Sequence, residues 1–274
     1  MVVAELVLGL ATSHVAFITQ SPEMGNPAQV EGFRNGYRRL GQALRESRAD
    51  AAVVISGEHL NYFFIDNMPA FCIGVSDGFE GPTERGAGIP YRRIPASLEL
   101  GNYLLTAGLD RGVDWARTEG WELDHGIMVP LYMIDQEARV PIVPVFINCA
   151  APPCPTARRC YEFGEWLRDA IARWDAPKRV AVIATGGLSH SVGTEQMGRI
   201  DEAFDRKFIA DFTGSDRRKI TRLTDEQILA AGNSTSEIRS WIALGGAFEG
   251  RPAELVFYEP ISGFATGCGQ VVMR

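Results

Sequence analysis

A chain of 274 residues with 46% hydrophobic and 22% charged residues can bury a sizeable core, and one compact domain spanning 1–274 is the expected organisation. The formal net charge of -7 argues against a nucleic-acid partner, and no apolar stretch reaches the roughly 18 residues of a membrane helix. With no basic region and apolar core at the N-terminus, the expectation is a cytoplasmic protein that acts on a small molecule.

In chain order, Glu5 to Leu10 is a short apolar run ending in Ala11-Thr12-Ser13-His14, and Ala51 to Ile55 is another, ending in Ser56-Gly57-Glu58-His59. Both read as buried strands. Between them, Pro27 to Ser47 places Val30, Phe33, Tyr37, Leu40 and Leu44 at helical spacing, so strand, helix and strand alternate and a parallel pairing is expected. Ser76 to Pro95 is the longest aperiodic stretch, rich in Gly and Pro, and is expected to be a loop that covers a site. Helical patterns return at Ala96 to Ala107 and Arg159 to Trp174, and buried strands at Pro141 to Ile147 and Arg179 to Ala184. Two capping-box patterns follow, Thr224-Asp225-Glu226-Gln227 and Ser234-Thr235-Ser236-Glu237. The second opens a helix bearing Ile238, Trp241, Ile242, Gly245 and Phe248, before strands at Ala253 to Tyr258 and Gln270 to Met273. The fold class is α/β: a central, mostly parallel or mixed sheet flanked by helices.

Five cysteines, Cys72, Cys149, Cys154, Cys160 and Cys268, form no CxxC pair and read as reduced thiols, mostly buried. Histidine is more informative because there are only four. His14, His59 and His190 each follow a predicted buried strand within a few residues. Ligands of open α/β sheets bind beyond the carboxyl ends of the strands, so these three imidazoles can converge on one crevice. The fourth, His125, lies in Glu122-Leu123-Asp124-His125-Gly126 at the entry to an apolar helix, where Asp124 either orients an imidazole or caps the helix. Two imidazoles with one carboxylate make the facial arrangement of non-haem Fe(II) oxygenases, although zinc sites use similar residues. Glu237 is the candidate carboxylate; as the last residue of a capping box it would instead reach back to Ser234 and need no metal.

The segments Ala11-Thr12-Ser13-His14, Gly57-Glu58-His59-Leu60-Asn61-Tyr62-Phe63-Phe64, Met68-Pro69-Ala70-Phe71-Cys72-Ile73-Gly74, Leu123-Asp124-His125-Gly126 and Gly186-Gly187-Leu188-Ser189-His190, with the helix bearing Glu237, give the chain a nearly end-to-end resemblance. It resembles the class III extradiol ring-cleavage dioxygenases, the superfamily of the protocatechuate 4,5-dioxygenase β subunit, gallate dioxygenase and 2,3-dihydroxyphenylpropionate dioxygenase. The resemblance implies Fe(II) held by His14, His59 and Glu237, His190 as catalytic base and His125 as its partner at the substrate. It also implies O2 and a small aromatic diol or aminophenol as reactants, a homo-oligomer, and the option of a small second subunit. The family often has Asp immediately before its second histidine ligand; here that residue is Glu58. Two other readings stay open on the residues alone: a zinc hydrolase using the same His/His/Glu set, and a non-catalytic binding protein on this scaffold. Tyr62, Phe63, Phe64 and Phe71 are expected mainly in the core, and Arg85, Arg92 and Arg93 receive no role.

Overall fold

The structure is a computed structural model and describes residues 3–274. The apolar runs form strands β1 (Glu5–Thr12), β2 (Ala51–Ser56), β3 (Phe71–Gly74), β4 (Gly78–Gly81), β5 (Arg92–Pro95), β6 (Ala116–Thr118), β7 (Ile142–Ile147), β8 (Arg179–Thr185), β9 (Ala253–Ile261) and β10 (Thr266–Met273). The helices are α1 (Phe17–Gln20), α2 (Pro27–Ser47), α3 (Leu98–Asp110), α4 (His125–Ile134), α5 (Ala157–Ile171), α6 (Glu202–Thr213), α7 (Asp225–Ala230) and α8 (Ile238–Ala247).

Eight strands make one mixed sheet in the order β6-β3-β7-β2-β8-β1-β10-β9. Its middle, β7-β2-β8-β1, is parallel throughout. These are the strands whose sequences are near-continuous apolar runs, because helices cover both of their faces. Val53, Ile55, Val143, Val145 and Val182 point into the layer of α3, α5, α6 and α8. Leu8, Leu10, Ala52, Val54 and Ile183 point into the layer of α2 and α4.

β1 and β2 are parallel, as the intervening helix implies, but they do not pair with each other: β8 lies between them. The reason is burial. Val180 to Thr185 is enclosed on both faces, so its peptide groups need strand partners on both edges. At the other extreme, β9 is a half-exposed edge strand, which is where Pro260 is tolerated.

Helix ends follow their caps. Asn26 Oδ1 accepts from Ala28 N at 2.9 Å and Pro27 takes the first helical position, so α2 starts where the sequence indicates. Ser97 and Thr156 cap α3 and α5 in the same manner, which sets these helices two residues away from the starts expected from apolar spacing alone. The Ser76–Pro95 stretch is not structureless: β4 and β5 pair antiparallel within it.

α8 is buried at every position from Ile238 to Ala247. It lies backbone to backbone on α5, since a Cβ on Gly164 would fall 1.8 Å from the Ala243 carbonyl oxygen and one on Gly246 would fall 2.0 Å from that of Tyr161. Among the described residues, no helix is long and apolar enough to cross a membrane.

Candidate active site

His14 leaves the end of β1, His59 the end of β2 and His190 the end of β8, so the parallel centre of the sheet delivers three imidazoles to its carboxyl edge. His125 enters from the first residue of α4, and Glu237 from the residue before α8. All five side chains named from the sequence come together. The ring centroids of His14 and His59 are 4.9 Å apart, those of His59 and His125 4.1 Å, and those of His14 and His125 5.5 Å. Glu237 Oε2 is 3.1 Å from His14 Nε2, and its Oε1 is 3.4 Å from His59 Nε2 and 3.7 Å from His190 Nε2.

The outward nitrogen of each ring is fixed by its surroundings. His14 Nδ1 lies 3.2 Å from the Gly126 carbonyl, which can only accept, so Nδ1 carries the proton and Nε2 keeps its lone pair. His190 Nδ1 donates to the Leu188 carbonyl at 2.9 Å, with the same result. His59 Nδ1 donates to Asp124 Oδ2 at 2.8 Å and His125 Nδ1 donates to Glu84 Oε1 at 2.7 Å. Every Nε2 is thereby left for chemistry. His14 Nε2 is also buried without a well-formed hydrogen bond, 3.1 Å from the Glu237 carboxylate, a position that a shared ligand would satisfy.

Asp124 resolves the choice posed by its sequence position. Its Oδ1 accepts from Gly126 N at 2.9 Å and caps α4, while Oδ2 binds both the backbone N–H and the ring of His59. It orients His59, not its neighbour His125, because consecutive side chains at a helix start diverge. The partner of His125 is Glu84, whose Oε2 also accepts from the His125 backbone N–H at 2.9 Å. Glu84 was invisible in the sequence because the loop that carries it lacks periodicity; its one signal is that the loop is long. Glu58 accepts backbone N–H bonds from Asn61 and Tyr62 at 2.6 Å and from Phe63 at 3.3 Å, closing the turn that presents His59. Ser189, just before His190, is held by Asp205 through its N–H at 2.9 Å and its hydroxyl at 2.8 Å.

Charge follows this arrangement. Burial alone would raise the Glu237 carboxyl, but the imidazoles of His14 and His190 outweigh it and hold Glu237 well below the usual carboxylate range. Burial likewise opposes ionisation of Asp124, yet His59 keeps it anionic. Burial is also the largest influence on His59 and acts to lower it, but Asp124 and Glu237 leave it well above the ordinary imidazole value. His14, fully enclosed, is lowered by burial despite the attraction of Glu237. In Glu58 the order is reversed: burial, aided by repulsion from Asp124, raises the carboxyl.

Side-chain nitrogens of His14, His59 and His125 lie within 4.8 Å of one another, as do donor atoms of His59, Glu84 and Asp124, so the edge of the sheet holds groupings compatible with a metal ion. His14, His59, His125, His190 and Glu237 line a cavity of about 810 Å³, whereas Glu84 and Asp124 stand behind its wall. Tyr62, Phe63, Phe64 and Phe71 do not line it; Phe63 and Phe71 are core, while Tyr62 and Phe64 are exposed. Arg93 pairs with Asp77, Arg92 lies over Tyr132, and Arg85 is exposed. Four of the cysteines are buried and Cys154 is half-buried; all five are free.

Residues 8–269 match the family model described as the catalytic LigB subunit of aromatic ring-opening dioxygenase. A 2,3-dihydroxyphenylpropionate/2,3-dihydroxicinnamic acid 1,2-dioxygenase from Photorhabdus laumondii is 28% identical, covering 96% of this chain and 95% of its own. An enzyme of the same name from Paraburkholderia xenovorans is 30% identical over 86% of this chain and 89% of its own. The fold is shared with the crystal structure of an uncharacterized protein from Escherichia coli K12, at a TM-score of 0.68 and 16% identity over 98% of this chain and 100% of that one. With its family match running across almost the whole sheet and its helices, the chain belongs to the catalytic LigB subunits of aromatic ring-opening dioxygenases.

Proposed function

We propose that this chain performs extradiol cleavage of a catechol-type ring, with Fe(II) held by His14, His59 and Glu237 and with His190 and His125 moving protons. The observation that carries the reading is the buried Glu237 carboxylate, kept anionic and facing the Nε2 atoms of two imidazoles whose Nδ1 protons are already committed. An ion entering here would take the place of the proton that Asp124 and Glu237 otherwise favour on His59, and two imidazole nitrogens with one carboxylate make a donor set that fits divalent iron. A set made from His14, His59 and His125 alone also brings nitrogens close, but it would leave a fully buried carboxylate without its cation. Dioxygenase chemistry requires an ion that exchanges electrons, which favours iron over redox-inert zinc and removes the hydrolase alternative. Such an ion supplies Lewis-acid and redox chemistry to a chelated diol and O2.

The protein supplies orientation and protons. Asp124 fixes the ring of His59, and the Gly126 carbonyl fixes that of His14, so neither ligand has to reorient. His190 accepts a diol proton at Nε2 as general base, its Nδ1–H anchored on Leu188, and later returns that proton. His125 donates from Nε2 to a substrate oxygen as negative charge develops, and Glu84 on its other nitrogen steadies the positive charge this requires. Anaerobic loading with Fe(II), followed by O2 uptake and ring-fission absorbance across a panel of catechols, tests the reading. Iron-loaded protein that consumes no O2 with any catechol or aminophenol would sink it.

A further inference from the structure

We propose, resting on the dioxygenase reading above, that the ring substrate carries an uncharged, apolar substituent and that the cavity selects against anionic side chains. At about 810 Å³ the cavity lies in the upper range for small-molecule sites, so a substituent is accommodated beyond the diol ring. Besides the imidazoles, its wall includes Val15, Phe17, Val192, Met197, Leu229 and Phe264.

The charged lining decides the sign. Glu58, Asp225 and Glu237 contribute carboxylates, and among the described residues Arg239 is the only Lys or Arg on the wall. Arg239 is spent. It is buried, its Nε donates to the Pro155 carbonyl at 2.7 Å, its Nη1 to the Ser236 carbonyl at 3.1 Å, and its Nη2 forms an ion pair with Asp225 Oδ1 at 2.5 Å. No guanidinium fork is left to receive a carboxylate. The imidazoles do not replace it: His59 and His125 already face Asp124 and Glu84, and His14 and His190 have their Nδ1–H groups on backbone carbonyls. Val192, Met197 and Leu229 form an exposed outer part of the wall, so an anionic tail laid against it would give up part of its water without gaining a cation, whereas an alkyl or aryl group would cover apolar side chains. The relatives named for 2,3-dihydroxyphenylpropionate act on a ring that bears a carboxylate tail; the wall of this cavity suits its neutral counterparts.

The test separates binding from turnover. Anaerobic calorimetric titration of the Fe(II)-loaded protein is made with 3-propylcatechol, with 2,3-dihydroxyphenylpropionate and with the methyl ester of that acid. Both neutral ligands are expected to bind at least about tenfold more tightly than the acid, the order an uncompensated charge imposes. Equal or tighter binding of the acid, or binding of none of the three, overturns the proposal. O2 uptake is then followed with the same compounds. Neutral ligands that bind in the expected order without oxygen consumption would leave the selection standing and remove the dioxygenase reading; oxygen consumption with the acid preferred would do the reverse. Leu229→Arg, at an exposed position on α7, should narrow the ratio by adding a cation to the wall. An unchanged ratio in that variant, with its fold verified by circular dichroism, would show that charge does not set the selection.

Discussion

Two segments of this chain carry a hydroxyl residue followed three places later by Glu or Gln, and their fates differ. In Thr224–Gln227 the box closes: Thr224 Oγ1 accepts from Gln227 N at 3.2 Å and Gln227 Oε1 accepts from Thr224 N at 3.0 Å. In Ser234–Glu237 it does not. That segment is a short 3-10 turn, no side chain caps it, and the Glu237 carboxylate turns inward to take the Gly187 N–H at 2.7 Å and face three imidazoles. The difference is location. The first segment is exposed, where an end of a helix has only itself and water to satisfy it; the second is buried beside stronger partners, and a carboxylate goes where opposite charge is.

Substitutions widen or close that contrast. The largest effect is expected from Glu237→Ala, which should bring iron content measured by metal analysis close to background and abolish turnover; near-normal iron would take Glu237 out of the metal set. His125→Ala should keep its iron, and loss of iron there would favour the all-imidazole grouping instead. Next, His190→Gln should retain iron while kcat drops by roughly 10²–10⁴-fold, the usual loss for a missing general base; wild-type turnover in that variant would reassign the proton. Asp124→Asn should weaken iron affinity by about 10–100-fold, as removal of a ligand-orienting carboxylate does, with competition against a chelator as the readout. At the small end, Thr224→Ala should cost about 1 kcal/mol in denaturant unfolding and leave iron content untouched. An effect on iron at Thr224 would mean that the two segments are less independent than their geometry implies.

The contrast also explains what could be read ahead of the structure. Strands and helices were legible because burial on two faces or on one face leaves a period in the residues, as in Val30 to Leu44 and Val180 to Ala184. Convergence of His14, His59 and His190 followed from a topological rule about strand ends. Partnerships were not legible, since nothing local in the sequence joins His59 to Asp124 or His125 to Glu84; each is made by tertiary packing across 65 and 41 residues. The pairing of β8 between β1 and β2 escaped for the same reason. Glu237 was recoverable through family resemblance, because its local pattern pointed to a cap.

α8 is enclosed on all sides and locked on α5 through Gly164 and Gly246. The carboxylate at its head thus stands on a closely packed footing, while Val192 to Arg199, which contributes Val192 and Met197 to the cavity, is exposed throughout. Adaptation to bulkier or slimmer rings is therefore expected to fall to that outer segment, where substitutions of Val192 and Met197 should shift substrate range and leave Glu237 in place.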